Sequence, residues 1–443
     1  MKDEASIRSF ISILERNNLL VHVRKKVSPK FELAAVLKKI VSTGKAALFE
    51  KVEGYSSRVV GGIVANRKML SLALSVDEKD LLKEYVRRSS QKIKPNILRN
   101  SPLYENFIEQ ANAKIIPQIT HFEKDAGPYI VAGVVIDRDP ETGYTNLSFN
   151  RMQIKLGNRF GIRMMPPQHL GVIHSKHEVE KRNLEVAVAI GNHPIVMMAA
   201  SATLPYGHDH LELAGALLGR PLDVVKCQTN DLLVPAYSEL VLEGHVLAGV
   251  REKEGPFGEF MQYYTPISEN HVFELKSIMH RTDYIYQTLI CGSSEDLGLL
   301  ALSREALLYK TLTDMGYNVV DVSLMPFIFN GAISIKKRFD GEPKNVAMGA
   351  FGAYPWLKYC VIVDDDVDVR DLNDVWWAMA TRSKPDSGVF IISDALGFGR
   401  EDKKKLHKSK VCFDATVPTD AKKEFERKKI PGEESVDLHY YLD

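Results

Sequence analysis

The chain has 443 residues, 45% hydrophobic and 26% charged, enough for two or three soluble domains with cores of ordinary size. Its 58 basic and 57 acidic side chains leave a net charge of +1, so neither nucleic acid nor an anionic membrane is expected as the main partner. No apolar run reaches the length of a membrane span, and the start MKDEASIRSF has acids where a signal peptide is basic and then apolar. Cys227, Cys291, Cys360 and Cys412 stand far apart, with no zinc-type pair or disulfide framework. A reducing cytoplasm is therefore the expected location.

In chain order, Ile7, Phe10, Ile11 and Leu14 fall at helical spacing, LLVHVRKKV reads as a strand, and FELAAVLKKIVSTG is a helix ended by Gly44. AALFEKV and RVVGGIVAN follow as short strands, then a charged helical pattern over 78–92. Together they predict a small α/β domain over 1–112. From 113 to 294 the segments YIVAGVVIDRD, YTNLSFNRMQIKL, RFGIRMM, LEVAVAIG, HPIVMMAAS, DLLVPAYSELVLEGHVLAGV, HVFELKSIMHR and YIYQTLI read as strands. Two helices interrupt them, one after His169 and one over His210 to Leu218. Many strands with few crossovers predict a closed antiparallel sheet or barrel. A linker helix is expected over 295–316, then a third, α/β domain over 317–443 with strands NVVDVSLM, LKYCVIVDD and SGVFIISDA. Its Lys- and Glu-rich end predicts an exposed arm.

KEGPFGEF (253–260) places Glu254 and Glu259 on either side of Gly255, Pro256 and Gly258. The proline lacks an N–H and the glycines accept conformations closed to other residues, so this is a shaped turn able to aim two acids at one point. Asn146 and Arg151 stand five apart in TNLSFNRMQ, Gln168 and His169 close MPPQHL at a helix start, and Glu212 lies inside a helix. Asn, His and Glu form an oxygen and nitrogen ligand set suited to Mn2+ or Mg2+ better than to zinc. Spacing alone does not bring these residues together. A capping histidine, a surface glutamate and a turn asparagine remain open readings.

Several motifs in a fixed order carry a resemblance: N-x-S-x-x-R (Asn146, Ser148, Arg151), PPQH ending at His169, LELAGALLGRP with Glu212, and VPAYSELVLEG leading to EGPFGE. VIVDDDVDVRDLNDVWWAMATR and SKVCFDAT extend it toward the carboxy terminus. On these motifs the chain resembles the UbiD family of reversible decarboxylases that use prenylated FMN. The resemblance implies a central flavin-reductase-like split β-barrel between the two α/β domains, and a homodimer or homohexamer. It implies that Asn146, His169 and Glu212 hold Mn2+ (or Mg2+) against the cofactor phosphate. Ser148, Gln168 and Lys410 would contact the cofactor, and the backbone of SATL, at Ala202 and Leu204, would help to hold K+. Arg151, Glu254 and Glu259 would form the catalytic network, with Glu259 the proton donor after CO2 departs. The substrate would be an aromatic, heteroaromatic or α,β-unsaturated carboxylic acid, and a separate flavin prenyltransferase would supply the cofactor. Alternatives are an archaeal-type anhydromevalonate phosphate decarboxylase, which the basic segment ISIKKRF (333–339) would serve if it is not a solvated turn. Beyond those lie a metal-dependent phosphohydrolase and a non-catalytic flavin-binding subunit of a carboxylase.

Other motifs have plainer readings. His208, Asp209 and His210 are expected to be a loop with Asp209 as helix N-cap. Asp364, Asp365, Asp366 and Asp368 are expected to serve capping and turns, Trp376 and Trp377 to be core and interface residues, and LGFGRED lacks the context of a dinucleotide fingerprint.

Overall fold

The computed structural model describes residues 5–165, 168–398 and 408–442, so Pro166 and Pro167 of the PPQH motif and LGFGRED from Gly399 onward lie outside the described residues. Two compact units result, Met1–Leu307 with Leu324–Ile328, and Leu308–Ser323 with Phe329–Asp443. The helix Ser294–Asp314 begins in the first and ends in the second.

In the first unit a four-stranded sheet runs in the order Leu20–Val23, Ala46–Phe49, Arg58–Gly61, Ile285–Gln287. Its fourth strand comes from YIYQTLI, far along the chain, and pairs parallel to Arg58–Gly61. Helices Ile7–Arg16 and Glu32–Val41 form where their apolar spacing predicts, the first capped by Ser6, whose side chain accepts from the Ser9 N–H at 3.1 Å. The helix Arg67–Leu74, capped by Asn66, is an element the sequence reading passed over.

The central sheet has nine strands, and its strand pairs are antiparallel. Its longest members, Leu240–Glu254 and Ser268–His280, pair with each other. The register slips between Glu243 and Gly244, where a Cβ on Gly244 would stand 2.1 Å from the Glu274 carbonyl oxygen. Only glycine fits such an approach. Leu184–Ile190 is buried at every position except Glu185, which is why LEVAVAI is an almost unbroken apolar run. HPIVMMAAS, expected as a strand, is instead the helix Pro194–Ser201. All eight of its residues are buried, so no polar face marks the helical period, and β-branched content alone misleads. Pro194 at the first turn and the His193 cap start it, with the Ile195 N–H donating to His193 Nδ1 at 3.3 Å.

The second unit holds a five-stranded sheet in the order Val319–Ser323, Asn330–Ile335, Tyr359–Asp364, Lys410–Ala415, Val389–Ile392. ISIKKRF is therefore no solvated turn. Its first half is an interior strand, and Lys337 is buried, donating at 3.0 Å to both Asp340 and Thr416. The aspartate run is structural: Arg382 pairs with Asp366 at 2.6 Å and Asp364 at 3.3 Å. Trp376 is 65% exposed and so is not a core residue, while Trp377 lies under the guanidinium carbons of Arg382 and Arg427 at 4.8 and 4.2 Å. No described helix is long and apolar enough to cross a membrane.

Candidate functional site

Arg151 follows the strand Thr145–Phe149 and precedes Met152–Ile154, so its side chain leaves the sheet at a break between two strands. Its Nε and Nη2 donate to Glu254 at 3.0 and 2.8 Å, and Nη1 donates to Glu259 at 3.2 Å. The planar fork thus spans both acids of the EGPFGE turn, as their spacing across the glycines and proline allows. Glu254, at the end of Leu240–Glu254, is completely buried and also accepts from Asn270 Nδ2 at 2.8 Å. Glu259 retains 12% side-chain exposure and lines a cavity of about 390 Å³ with Phe122, Gln262, Tyr263 and Ile290. The two carboxyls therefore differ in role by environment: one is locked into the protein, the other faces space that a substrate can enter.

The turn carrying them is tightly held. Gly255 has φ +93°, its N–H donates to Gln153 Oε1 at 3.3 Å, and the Gly258 N–H donates to Asp125 Oδ1 at 2.8 Å. A Cβ at Gly258 would stand 2.4 Å from the Phe122 ring. Phe257 places its ring 4.7 Å from the Arg151 guanidinium carbon and 4.6 Å from the Tyr129 ring, fixing the plane of the fork.

Asn146 sits opposite Asp137 in the register of the paired strands Val134–Arg138 and Thr145–Phe149, and its Nδ2 donates to Asp137 Oδ2 at 2.8 Å. With the amide nitrogen committed there, Oδ1 is presented to the other side. Burial pushes the Asp137 carboxyl up to about 7. His169 opens the helix His169–Val179, and burial lowers its pKa, which keeps a nitrogen lone pair available. Its ring meets Tyr144 at 6.0 Å, Tyr206 at 5.2 Å and His210 at 6.1 Å, so it lies against the residue preceding Thr145 and the first residue of His210–Leu218.

That last helix is tied to the asparagine strand. Asp209, the N-cap as expected, takes the N–H groups of Leu211 and Glu212 at 2.7 and 3.2 Å on one oxygen and that of Thr145 at 2.7 Å on the other. The neighbours of Asn146, Glu212 and His169 are thereby held against one another. The Glu212 carboxylate engages no hydrogen-bond or ion-pair partner among the described residues. One amide oxygen, one neutral imidazole and one carboxylate fit a hard-to-borderline divalent ion.

The remaining candidates are placed less tightly. Ser148 Oγ lies 2.8 Å from Asn150 Oδ1, and Gln168 occupies the N-cap position of the His169 helix without a side-chain cap bond. Ala202 ends the buried helix Pro194–Ser201, with Leu204 two residues on, and the backbones of Ala202 and Thr145 approach the His210 ring. Lys410 belongs to the second unit, where its Nζ donates to the carbonyls of Leu357, at 2.8 Å, and Pro355. Burial lowers its pKa to about 8. Asp137, Asn270, Phe257 and Tyr129 were not singled out in the sequence. Asp137 alone left a signal there, as a charge inside an apolar strand.

A buried arginine clamp on two glutamates beside a cavity is an arrangement suited to handling a carboxylate, and Asn146, His169 and Glu212 lie on elements tied to the same antiparallel sheet. Comparison with known proteins gives the family. Three models match in order: the 3-octaprenyl-4-hydroxybenzoate carboxy-lyase N-terminal domain over 11–89, its Rift-related domain over 97–294, and its C-terminal domain over 298–415. The chain belongs to the UbiD family. It is 32% identical over 430 residues to an anhydromevalonate phosphate decarboxylase of Methanosarcina mazei, covering 96% of this chain and 99% of that one. It is 34% identical over 439 residues to a phenolic acid decarboxylase of Sedimentibacter hydroxybenzoicus, covering 93% and 91%. Among solved structures, the UbiD-class enzyme HmfF from Pelotomaculum thermopropionicum in complex with FMN superposes with a TM-score of 0.94 at 38% identity, covering 99% of this chain and all of that one.

Proposed function

We propose that this chain, a UbiD-family carboxy-lyase, removes CO2 from an aromatic, heteroaromatic or α,β-unsaturated carboxylic acid with prenylated FMN as cofactor. The observation that carries the reading is the single guanidinium bonded to both Glu254 and Glu259 beside a cavity. Loss of CO2 leaves an electron pair that no side chain can store; the prenylated flavin, when bound, supplies that electron sink. Asn146, His169 and Glu212 would hold Mn2+ or Mg2+ for the cofactor phosphate. Ser148, Gln168 and Lys410 would contact the cofactor, and the backbone at Ala202 and Leu204 would contribute to a K+ site.

Arg151 orients the substrate carboxylate with its planar donors and keeps Glu254 and Glu259 in fixed relation. Glu259, with its outlook onto the cavity, gives the proton to the carbon that CO2 leaves and recovers it from solvent. Glu254, closed off from the cavity by burial, holds the arginine. Homodimeric or homohexameric assembly, a cytoplasmic location and a flavin prenyltransferase as cofactor supplier complete the proposal. The four free cysteines support a reducing compartment.

The anhydromevalonate phosphate reading keeps the support of its relatives in sequence but loses ISIKKRF, half of which is interior strand. The test is expression of the full chain with a flavin prenyltransferase, then CO2 release from a panel of phenolic, furoic, cinnamic and phosphorylated unsaturated acids. Release from at least one acid, abolished in Glu259→Gln, supports the proposal. Retention of prenylated flavin with no release from any acid contradicts it.

A further inference from the structure

His174 and Glu178 stand four apart on the helix His169–Val179 and so share a face, and His271 meets them from the strand Ser268–His280. One ligand-capable atom from each of the three lies within 4.8 Å of the other two. The imidazoles meet edge to face with centroids 4.8 Å apart, and His174 Nδ1 is 3.9 Å from Glu178 Oε2. None of the three has a part in the decarboxylase site.

Two features set this cluster apart from ordinary packing. His174 is 1% exposed, and its Nε2 has no partner among the described residues. His271 Nδ1 is likewise buried and unpartnered among them. Buried polar nitrogens without partners are costly, and natural proteins leave few. Glu178 is held in place: its Oε1 accepts the Gly249 N–H at 2.8 Å and its Oε2 accepts from Arg251 Nη2 at 2.9 Å. Burial lowers the pKa of both histidines, so both rings are neutral and able to ligate near neutral pH.

We propose that His174, Glu178 and His271 form a second metal site that takes a borderline divalent ion such as Zn2+. Two imidazole nitrogens and a carboxylate, with the fourth position open to water, are a normal tetrahedral zinc set, and they select against Mg2+ and Mn2+, which prefer oxygen. Ligand atoms around such an ion stand roughly 3.4 Å apart, given bond lengths near 2 Å. The cluster therefore closes by about an ångström of side-chain movement. Arg251 Nη2 stands 2.9 Å from both Glu178 oxygens, so an ion would share with that guanidinium the Oε2 that lies 3.9 Å from His174 Nδ1, which weakens the site. A bound ion would pin the helix that begins at His169 to the central sheet.

The test is zinc per chain after equilibrium dialysis of the full chain against Zn2+, in the unsubstituted protein and in His271→Gln, Glu178→Gln, His280→Gln and Asn146→Ala. His280 serves as a control because its Nδ1 already meets the Arg281 carbonyl at 2.9 Å. The expected result is one zinc fewer per chain in His271→Gln and in Glu178→Gln, an unchanged count in His280→Gln, and retention of this zinc in Asn146→Ala. Equal zinc in the unsubstituted protein and both cluster variants overturns the proposal, as does loss of all zinc in Asn146→Ala. Should one cluster variant fail to fold, the other decides.

Discussion

Replacing Arg151 with methionine separates the arginine's part in stability from its part in chemistry. The Glu254 side chain is 0% exposed and now takes two charged N–H groups, at 3.0 and 2.8 Å, besides Asn270 at 2.8 Å. Arg151→Met removes both charged donors and strands the carboxylate. Charged hydrogen bonds contribute about 1.5–3 kcal/mol each, and breaking a buried pair from one side costs about 3–5 kcal/mol. For a folding unit of this size, each kcal/mol moves Tm by about 2 °C, so a fall of roughly 6–10 °C is expected in differential scanning fluorimetry of the flavin-free protein. In Arg151→Met/Glu254→Leu the fully buried carboxylate is no longer stranded, and because Glu259 keeps its outlook onto the cavity, most of that fall is expected to return while turnover stays absent. A double variant no more stable than Arg151→Met, or a single variant within about 2 °C of the unsubstituted protein, would refute the reasoning.

Other expectations follow from the same coordinates. His121 and His193 are buried neutral, with pKa values lowered by desolvation to about 4 and about 3. The unfolded chain takes up those protons near 6.5 and the folded chain does not, so stability falls as pH drops from about 6.5 toward 4. By pH 4 the loss is at most about 3 kcal/mol per histidine, at about 1.36 kcal/mol per pH unit. His193→Asn keeps an N-cap acceptor without that titration, and its urea midpoint is expected to vary less between pH 7 and 5; an identical pH dependence would count against this. Phe160 is fully buried and edge to face with Phe273 at 5.7 Å, so Phe160→Ala is expected to cost about 3–5 kcal/mol in urea unfolding. Lys410→Met leaves two carbonyls without their ammonium partner and is expected to cost about 1–3 kcal/mol. If Lys410 also contacts the cofactor phosphate, flavin content of the purified variant falls too; unchanged flavin confines it to a structural role.

Local signals recovered most elements of this fold. Asp209 followed by His210–Leu218 was legible because a side-chain cap, an apolar run and Gly219 beyond its end agree. Pro194–Ser201 was not, since a helix buried all round has no face to show. Asn330–Ile335 was hidden by the lysines that follow it, one of which is buried through partners distant in sequence. The origin of the fourth strand of the amino-terminal sheet, some 220 residues after its neighbour, has no local trace at all. The site divides in the same way. Glu254, Glu259 and Arg151 were found through an unusual turn and a motif series, whereas Asn270 and Tyr129 support them from strands that read as ordinary sheet. Asp137 lies opposite Asn146 in register, and register is set by pairing that no single strand reveals.

The central claim is that one pocket divides its labour between anchoring and chemistry. It is tested most directly by measuring bound prenylated flavin and CO2 release side by side in Glu212→Ala and Glu259→Gln. The account predicts that Glu212→Ala loses flavin, while Glu259→Gln keeps it and loses turnover. Full flavin in Glu212→Ala together with undiminished turnover in Glu259→Gln would contradict it.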